Sequence, residues 1–148
     1  MPVYCTIYCT EGDVPTIQAV IEHCFPGSKA KATSRNNSQI TLKGQGGGTL
    51  KLTFMRYRKR GDAFCGLQLS TSNFVRNRTK GQAKIREALG RKFQACGVII
   101  GVVAEPDFEG DERFTELCYT LAANLDGVMF DGSDFFDAEG KVLARAKE

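Results

Sequence analysis

His23 is the only histidine in this sequence, so any Ser-His-Asp triad or histidine-based metal site would depend on it alone. It stands beside Cys24 near the end of a predicted helix, where the helix dipole favours a histidine without any catalytic role. The sequence therefore predicts no catalytic residues, no metal and no cofactor. A small enzyme of unknown chemistry is kept as an alternative, because two carboxylates can meet in space without leaving a mark in the sequence.

Three further patterns have structural interpretations. The six cysteines include no Cys-x-x-Cys pair and lie mostly in apolar segments, as free thiols do in a reducing compartment. The glycine-rich stretch 44–48 joins two predicted strands instead of leading a strand into a helix, so it predicts a flexible hairpin loop and not a phosphate cradle. The Asp and Gly residues between 131 and 137 lack the spacing of an EF-hand loop and predict turns.

The distribution of charge along the chain is the most informative feature for function. Residues 1–27 contain three acidic and no basic side chains, for a net charge of −3. Residues 28–92 contain 16 Lys and Arg and two acids (+14), and residues 93–148 contain four basic and 12 acidic side chains (−8). If these segments stay apart in the fold, the protein has a cationic and an anionic surface, and either can recognise a macromolecule. The alternative is that the charges interleave in space and cancel.

The acidic segment predicts a protein partner with a basic surface. Carboxylates in excess of those needed at helix N-termini can steer toward and cover such a partner, for example the nucleic-acid cleft of a nuclease. Phe108, Phe135 and Phe136 can serve as apolar anchors of the interface, although they also suit core positions. The predicted partner-binding residues are Glu105, Asp107, Phe108, Glu109, Asp111, Glu112, Asp131, Asp134 and Phe135.

The basic segment indicates an alternative partner, nucleic acid. Lys and Arg side chains in a cluster can neutralise phosphates and bind in a salt-dependent way. Few aromatic residues accompany them, and no RNA-binding motif of the Arg-Gly-Phe type is present. The predicted nucleic-acid-binding residues are Arg56, Arg58, Lys59, Arg60, Arg76, Arg78 and Lys84.

Hydrophobic periodicity predicts the elements that position these residues. Alternation predicts strands over 3–10, 38–43 and 49–57, and the β-branched run 98–104 predicts a central strand buried on both faces. Helical spacing predicts helices over 14–25, with Asp13 as the N-cap, and over 81–96 and 114–125. The stretch 64–75 fits a helix or a strand, and the helix is favoured. Short strands are expected at 128–130 and 141–144.

These elements predict an α+β (mixed α/β) fold with a single mixed, mainly antiparallel sheet and about three helices packed on one face. The length suits one domain, 1–148. The first residues lack a basic segment followed by an apolar run, and the longest apolar stretch, 98–104, is far shorter than the roughly 20 residues that span a bilayer. We therefore expect a cytoplasmic protein with no membrane partner.

The C-terminal half contains the run Gly-Val-Ile-Ile-Gly-Val-Val at 97–103, the helical pattern of 114–122, and the segments 125–130 and 136–141. Together, over about half of the chain, they resemble small bacterial domains of unknown function, some of which are encoded beside secreted antibacterial toxins and serve as immunity proteins. The resemblance implies a non-catalytic protein that binds a cognate toxin and blocks its active site or substrate access. It assigns no site to individual residues of this chain.

Overall fold

The secondary structure closely follows the hydrophobic periodicity of the sequence. It is taken from a computed structural model, which describes residues 3–10, 14–26, 31–32, 37–56 and 63–147. Asp13, the expected N-cap of the first helix, lies outside these ranges. The elements are β1 (Val3–Cys9), α1 (Val14–Cys24), β2 (Lys31–Ala32), β3 (Asn37–Lys43), β4 (Thr49–Arg56), α2 (Ala63–Asn77), β5 (Thr79–Lys80), α3 (Ala83–Gln94), β6 (Val98–Glu105), α4 (Glu112–Asn124), β7 (Gly127–Phe130), β8 (Asp134–Phe136) and β9 (Val142–Ala146).

The nine described strands form one sheet in the order β2-β3-β4-β6-β1-β7-β8-β9-β5, and every described pairing is antiparallel. The predicted α+β class with a mainly antiparallel sheet is thus confirmed. The middle position belongs to β1 and not, as expected, to β6, which lies beside it. The short strands β2, β5 and β8 were not foreseen, because two or three residues are too few to show a period.

One half of the fold has the order of a split βαβ arrangement. The elements β1-α1-β4-β6-α4-β7 place their strands as β4-β6-β1-β7, which is the ferredoxin-like topology. Helices α1 and α4 cover one face of these strands. Their apolar sides, including Ile21, Phe114 and Leu117, share a core with Ile7 and Ile100 of the two inner strands.

Helices α2 and α3 pack on the opposite face, so the expectation of helices on a single face is wrong. The described residues form four α-helices, close to the three or so that were expected. Strand residues Tyr8, Ile99 and Val128 point to this second face, because side chains alternate along a strand. The helical interpretation of 64–75 is confirmed. The Thr71 hydroxyl donates a hydrogen bond to the Tyr8 hydroxyl (3.2 Å), which fixes α2 over β1.

None of the helices among the described residues combines the length and the apolar character needed to cross a membrane.

Truncation of Phe135 tests the second core. This side chain is 0% exposed, and its ring lies 4.3 Å from that of Phe130 and 5.4 Å from that of Phe93, measured between centroids. We expect Phe135→Ala to lower the free energy of unfolding by about 3–5 kcal/mol, because it leaves a cavity in a packed core. Tyr4→Ala is the matched control, since Tyr4 is 62% exposed, and should cost less than about 0.5 kcal/mol. Equal losses in urea denaturation would contradict the burial of Phe135.

Candidate functional site

The acidic residues that follow β6 lie at one end of the sheet. Glu105 is the exposed last residue of β6, Glu109 is exposed in the 3-10 turn Phe108–Gly110, and Glu112 is exposed in the first turn of α4. The Asp107 carboxylate accepts a hydrogen bond from the Glu109 amide (2.9 Å) and so caps the short turn. The structure thus brings these four predicted residues together at the surface.

Asp111, also predicted to bind a partner, has a structural role instead. It is only 8% exposed and caps α4 by accepting a hydrogen bond from the Arg113 amide (2.9 Å). The Arg113 guanidinium donates to the same carboxylate (2.7 Å) and stacks over the Phe25 ring, 4.3 Å from its centroid. Hydrogen bonds from Arg113 hold the pKa of Asp111 well below its usual range. Its charge is therefore committed within the fold.

The glycine-rich stretch 44–48 forms the predicted hairpin loop between β3 and β4, but it is held in place by packing and hydrogen bonds. The Gln45 amide donates to the Asp111 carboxylate (3.1 Å). A Cβ atom on Gly48 would lie 2.8 Å from the Glu105 carbonyl oxygen, and one on Gly44 would lie 2.9 Å from Phe114 Cζ. Glycine suits these two positions because the loop packs tightly against the end of β6 at Gly48 and against the start of α4 at Gly44.

The three phenylalanines predicted as interface anchors pack in or against the cores, and Phe136 is partly buried against the core formed by α1 and α4. Phe135 is fully buried beneath α2 and α3, so its prediction as a partner-binding residue is wrong. Phe108 is partly buried and packs against the core formed by α1 and α4. The sequence could not separate these roles, because a phenylalanine among acidic loop residues suits either one.

Asp131 lies at the same end of the sheet as Glu105, because β6 and β7 both run antiparallel to β1 and finish on the same side. Burial raises the pKa of the Cys5 thiol to about 11, and the nearby charge of Asp131 contributes to this shift. The Asp131 carboxylate also accepts hydrogen bonds from the amides of Ser133 (2.9 Å) and Asp134 (2.8 Å), as the predicted turn requires.

Asp134 is placed differently from the other predicted acids. It is half-buried at the start of β8 and lies directly across the ladder from Arg145 of β9. The other acids that were predicted to bind a partner, apart from Asp111, lie at the surface, and we call this set the acidic rim. It consists of Glu105, Asp107, Glu109, Glu112 and Asp131.

Tyr4 is the functional candidate that sequence reasoning missed. It is 62% exposed and stands on β1, between the strands that carry Glu105 and Asp131. Its direct neighbour is Val103 of β6, so Glu105, two residues further along the same face, is a diagonal neighbour within reach of a long side chain. Val3 is exposed beside it on the other face. Glu105 is thus the member of the acidic rim beside Tyr4, whereas Asp131, near Cys5, lies on the other face.

The predicted nucleic-acid-binding residues do not form one patch. Arg58, Lys59 and Arg60 lie outside the described residues. Arg56 ends β4, whereas Arg78 precedes β5 at the far edge, six strand spacings or roughly 29 Å away. Arg76 pairs with Glu87 (3.1 Å). Lys84 is exposed in the first turn of α3.

The separation of charge along the sequence persists in the helices. Helices α2 and α3 together have a net charge of +4, and α1 and α4, on the opposite face of the sheet, have −2 with His23 neutral. Of the three ion pairs among the described residues, Lys92 with Asp126 (3.0 Å) is the one that joins the basic middle segment to the acidic C-terminal segment. The helices on the two faces therefore carry opposite net charge, whereas on the sheet Lys51 of β4 is a diagonal neighbour of Glu105.

The buried cysteines are poorly suited to nucleophilic chemistry. Burial raises the pKa of Cys96 to about 11 and that of Cys9 to about 12, so both remain neutral thiols near pH 7. All six cysteines are free. His23 is exposed at the end of α1. In the part of the chain that the structure describes, no three His, Cys, Asp or Glu residues are grouped as a metal ion requires.

A cavity of about 430 Å³ lies between α3, the end of α4 and the turn after β8. Ile85, Leu89 and Ala122 provide part of its apolar lining, and Lys92 and Asp126 are among its charged residues. The cavity adjoins the first residues of β7, whereas Asp131 follows the last. It is therefore at the opposite end of the sheet from the acidic rim.

No protein-family model matches this chain, and no curated protein or solved structure is significantly similar to it.

Replacing Asp111 by Asn tests its structural role, since Asn retains a capping oxygen but cannot form the ion pair. Because its pKa is lowered on folding, the carboxylate stabilises the fold above the ordinary Asp pKa of about 4, and this contribution is lost as the pH falls. We expect Asp111→Asn to cost about 1–2 kcal/mol at neutral pH. In urea denaturation, the difference from wild type should shrink below about pH 4.

Glu116→Gln provides the control for this prediction, because Glu116 is an exposed carboxylate on the same helix. Its effect on the free energy of unfolding should be within about 0.5 kcal/mol. A loss for Asp111→Asn that stays constant between neutral and acid pH would contradict the role of the charge.

Proposed function

We propose that this protein is a non-catalytic binding domain that recognises a protein partner with a basic surface, in the way that an immunity protein covers its cognate toxin. The observation that carries the proposal is the exposed Tyr4 at the end of the sheet that holds the acidic rim, with Glu105 as its diagonal neighbour. Tyrosine is enriched at the energetic centres of protein interfaces, where an aromatic body and a polar hydroxyl can both be used. Charged residues are more typical of the rim around such a centre.

The size of a stable interface is compatible with this location. A standard complex removes roughly 800 Å² from each partner, which corresponds to a patch about 28 Å across. The acidic rim occupies one end of the sheet. Next to it is the uncovered sheet surface around Tyr4, which extends across the strands to Val103 of β6 and the exposed Lys51 of β4. We propose that the partner covers both, with Tyr4 near the centre.

Electrostatics favours a partner of opposite sign. The five carboxylates of the acidic rim include Glu105, Glu109, Glu112 and Asp131, whose positions leave them exposed to solvent. Such a surface accelerates encounter with a cationic protein and can occupy a cleft that otherwise holds phosphates. The free thiols suit a reducing compartment, and we therefore place this binding in the cytoplasm.

Co-expression is the direct test of the proposed function. The product of the neighbouring gene should be toxic to bacteria when expressed alone, and this protein should restore growth. With purified proteins, protection should saturate at an equimolar ratio, because a blocking protein is occupied by each partner that it neutralises. Protection by a small fraction of an equivalent would instead favour the alternative of an enzyme, and a harmless product or an absence of binding would contradict the proposal.

Tyr4→Ala should weaken the complex by about 30-fold or more, which corresponds to the roughly 2 kcal/mol loss that defines an interface hot spot. Isothermal titration calorimetry against the same partner measures this change. Leu69→Ala is the matched control, since Leu69 is 55% exposed on α2 and outside the acidic rim. Equal affinity of wild type and Tyr4→Ala would remove Tyr4 from the interface.

Glu105→Lys should slow association and reduce its dependence on salt, because it reverses a charge in the acidic rim. Glu139→Lys makes the same charge change at an exposed position in the turn after β8, beside the cavity at the opposite end of the sheet. Stopped-flow association rates should therefore fall for Glu105→Lys and stay near the wild-type value for Glu139→Lys. The reverse order would place the partner at the other end of the molecule.

A further inference from the structure

We propose that β5 and β9 form a second binding surface, which holds the phosphate backbone of duplex nucleic acid. Lys80 of β5 lies directly across from Arg145 of β9. The Lys147 amide donates a hydrogen bond to the Arg78 carbonyl (2.9 Å), which continues the pairing by one more row. We call these four residues, Arg78, Lys80, Arg145 and Lys147, the cationic ladder.

The four side chains of the cationic ladder share one face of the two strands. Thr79 and Ala146, the pair between them, point the other way, and Thr79 is 1% exposed. Because side chains alternate along a strand, residues 78 and 80 lie on the opposite face, as do 145 and 147. All four are exposed. Their side chains therefore form a two-by-two array of positive charge.

Such an array is unfavourable in the absence of an anion. Like charges directly opposite each other destabilise an antiparallel pair, and here two successive cross-strand pairs are both cationic. The acid described next to the array is Asp134, which lies across from Arg145 on the other side of β9. An external polyanion can supply the missing counter-charge.

The backbone beneath the cationic ladder is held firmly. Arg86 of α3 donates from Nε to the Gly81 carbonyl (3.2 Å) and from Nη1 to the carbonyls of Arg76 and Thr79 (both 3.2 Å). The Thr79 hydroxyl donates to the Val75 carbonyl. One arginine of the basic segment is thus used to fix β5, so that its neighbours are presented at set positions and less ordering is needed on binding.

Charge density and the lack of an aromatic residue in the cationic ladder favour a duplex over a single strand. A duplex carries one phosphate per roughly 1.7 Å of axis, twice the density of one strand, whereas unpaired bases need aromatic rings on which to stack. The cationic ladder contains no such ring. Binding is expected to be independent of base sequence, because contacts to phosphates carry no sequence information directly.

This surface is separate from the site around Tyr4. Four strand spacings, roughly 19 Å, separate β1 from β5. Tyr4 lies on the face of the sheet covered by α2 and α3, because it is two residues from Tyr8, whereas the cationic ladder lies on the other face. The two proposals can therefore fail independently.

The test measures binding of a short DNA duplex by fluorescence anisotropy at several salt concentrations. Four phosphate contacts predict a slope of about −3.6 for log K against log salt, or about 150-fold weaker binding when salt is raised fourfold. The double variant Lys80→Gln, Arg145→Gln should halve the slope, to about −1.8. The double variant Lys43→Gln, Lys51→Gln makes the same charge change at exposed positions of β3 and β4, and should keep the wild-type slope.

A second double variant, Arg78→Gln with Lys147→Gln, leaves Arg145 and its cross-strand neighbour Asp134 unchanged. It should also halve the slope of log K against log salt. Thermal unfolding verifies that each variant is folded. The proposal is overturned if wild type does not bind the duplex at low salt, or if the Lys43 and Lys51 variant loses as much affinity as the others. Tighter binding to a single strand of equal length, or to anionic lipid vesicles, would overturn the assignment to a duplex.

Discussion

The fold depends on the pairing of β1 between β6 and β7, because this one strand contributes to both cores. Its residues Ile7 and Cys9 point to the core of α1 and α4, and Tyr8, between them, points to the core of α2 and α3. The register is therefore strongly constrained. A slip of one residue would exchange the two faces and place Tyr8 among aliphatic side chains while Ile7 met the Thr71 hydroxyl.

The same pairing explains why surfaces remain available for binding. Helices α1 and α4 cover β3, β4, β6, β1 and β7 on one face, and α2 and α3 cover parts of β6, β1, β7, β8 and β9 on the opposite face. Each face of the sheet is consequently covered in part. Tyr4 projects from the uncovered part of one face, and the cationic ladder projects from the uncovered part of the other. The open surfaces follow from the way in which two helical layers divide one long sheet.

Most elements could be predicted from the sequence, whereas their arrangement could not. The alternation of β1 and the apolar stripe of α4 are local patterns that periodicity reveals. Phe135 lies in a three-residue strand between Asp-rich turns, where no period can reveal that it is buried. Likewise, the pairing of Lys80 with Arg145 joins residues 65 positions apart, and no local signal identifies such a contact.

The functional meaning of the charges also depends on what each one contacts. Asp111 and Arg113 are committed to capping α4 and holding the hairpin loop, and Arg86 is committed to the backbone around β5. A count of charged residues along the sequence treats them like Glu105 or Lys80, although their charges are already engaged in contacts within the fold. Once they are set aside, the exposed acids include the acidic rim at one end of the sheet, and the exposed bases include the cationic ladder at the far edge. Opposite charges still meet on the sheet, since Lys51 is a diagonal neighbour of Glu105 and Arg145 lies across from Asp134. The charge that a partner meets is therefore set by which groups the fold uses, and not by a count along the sequence.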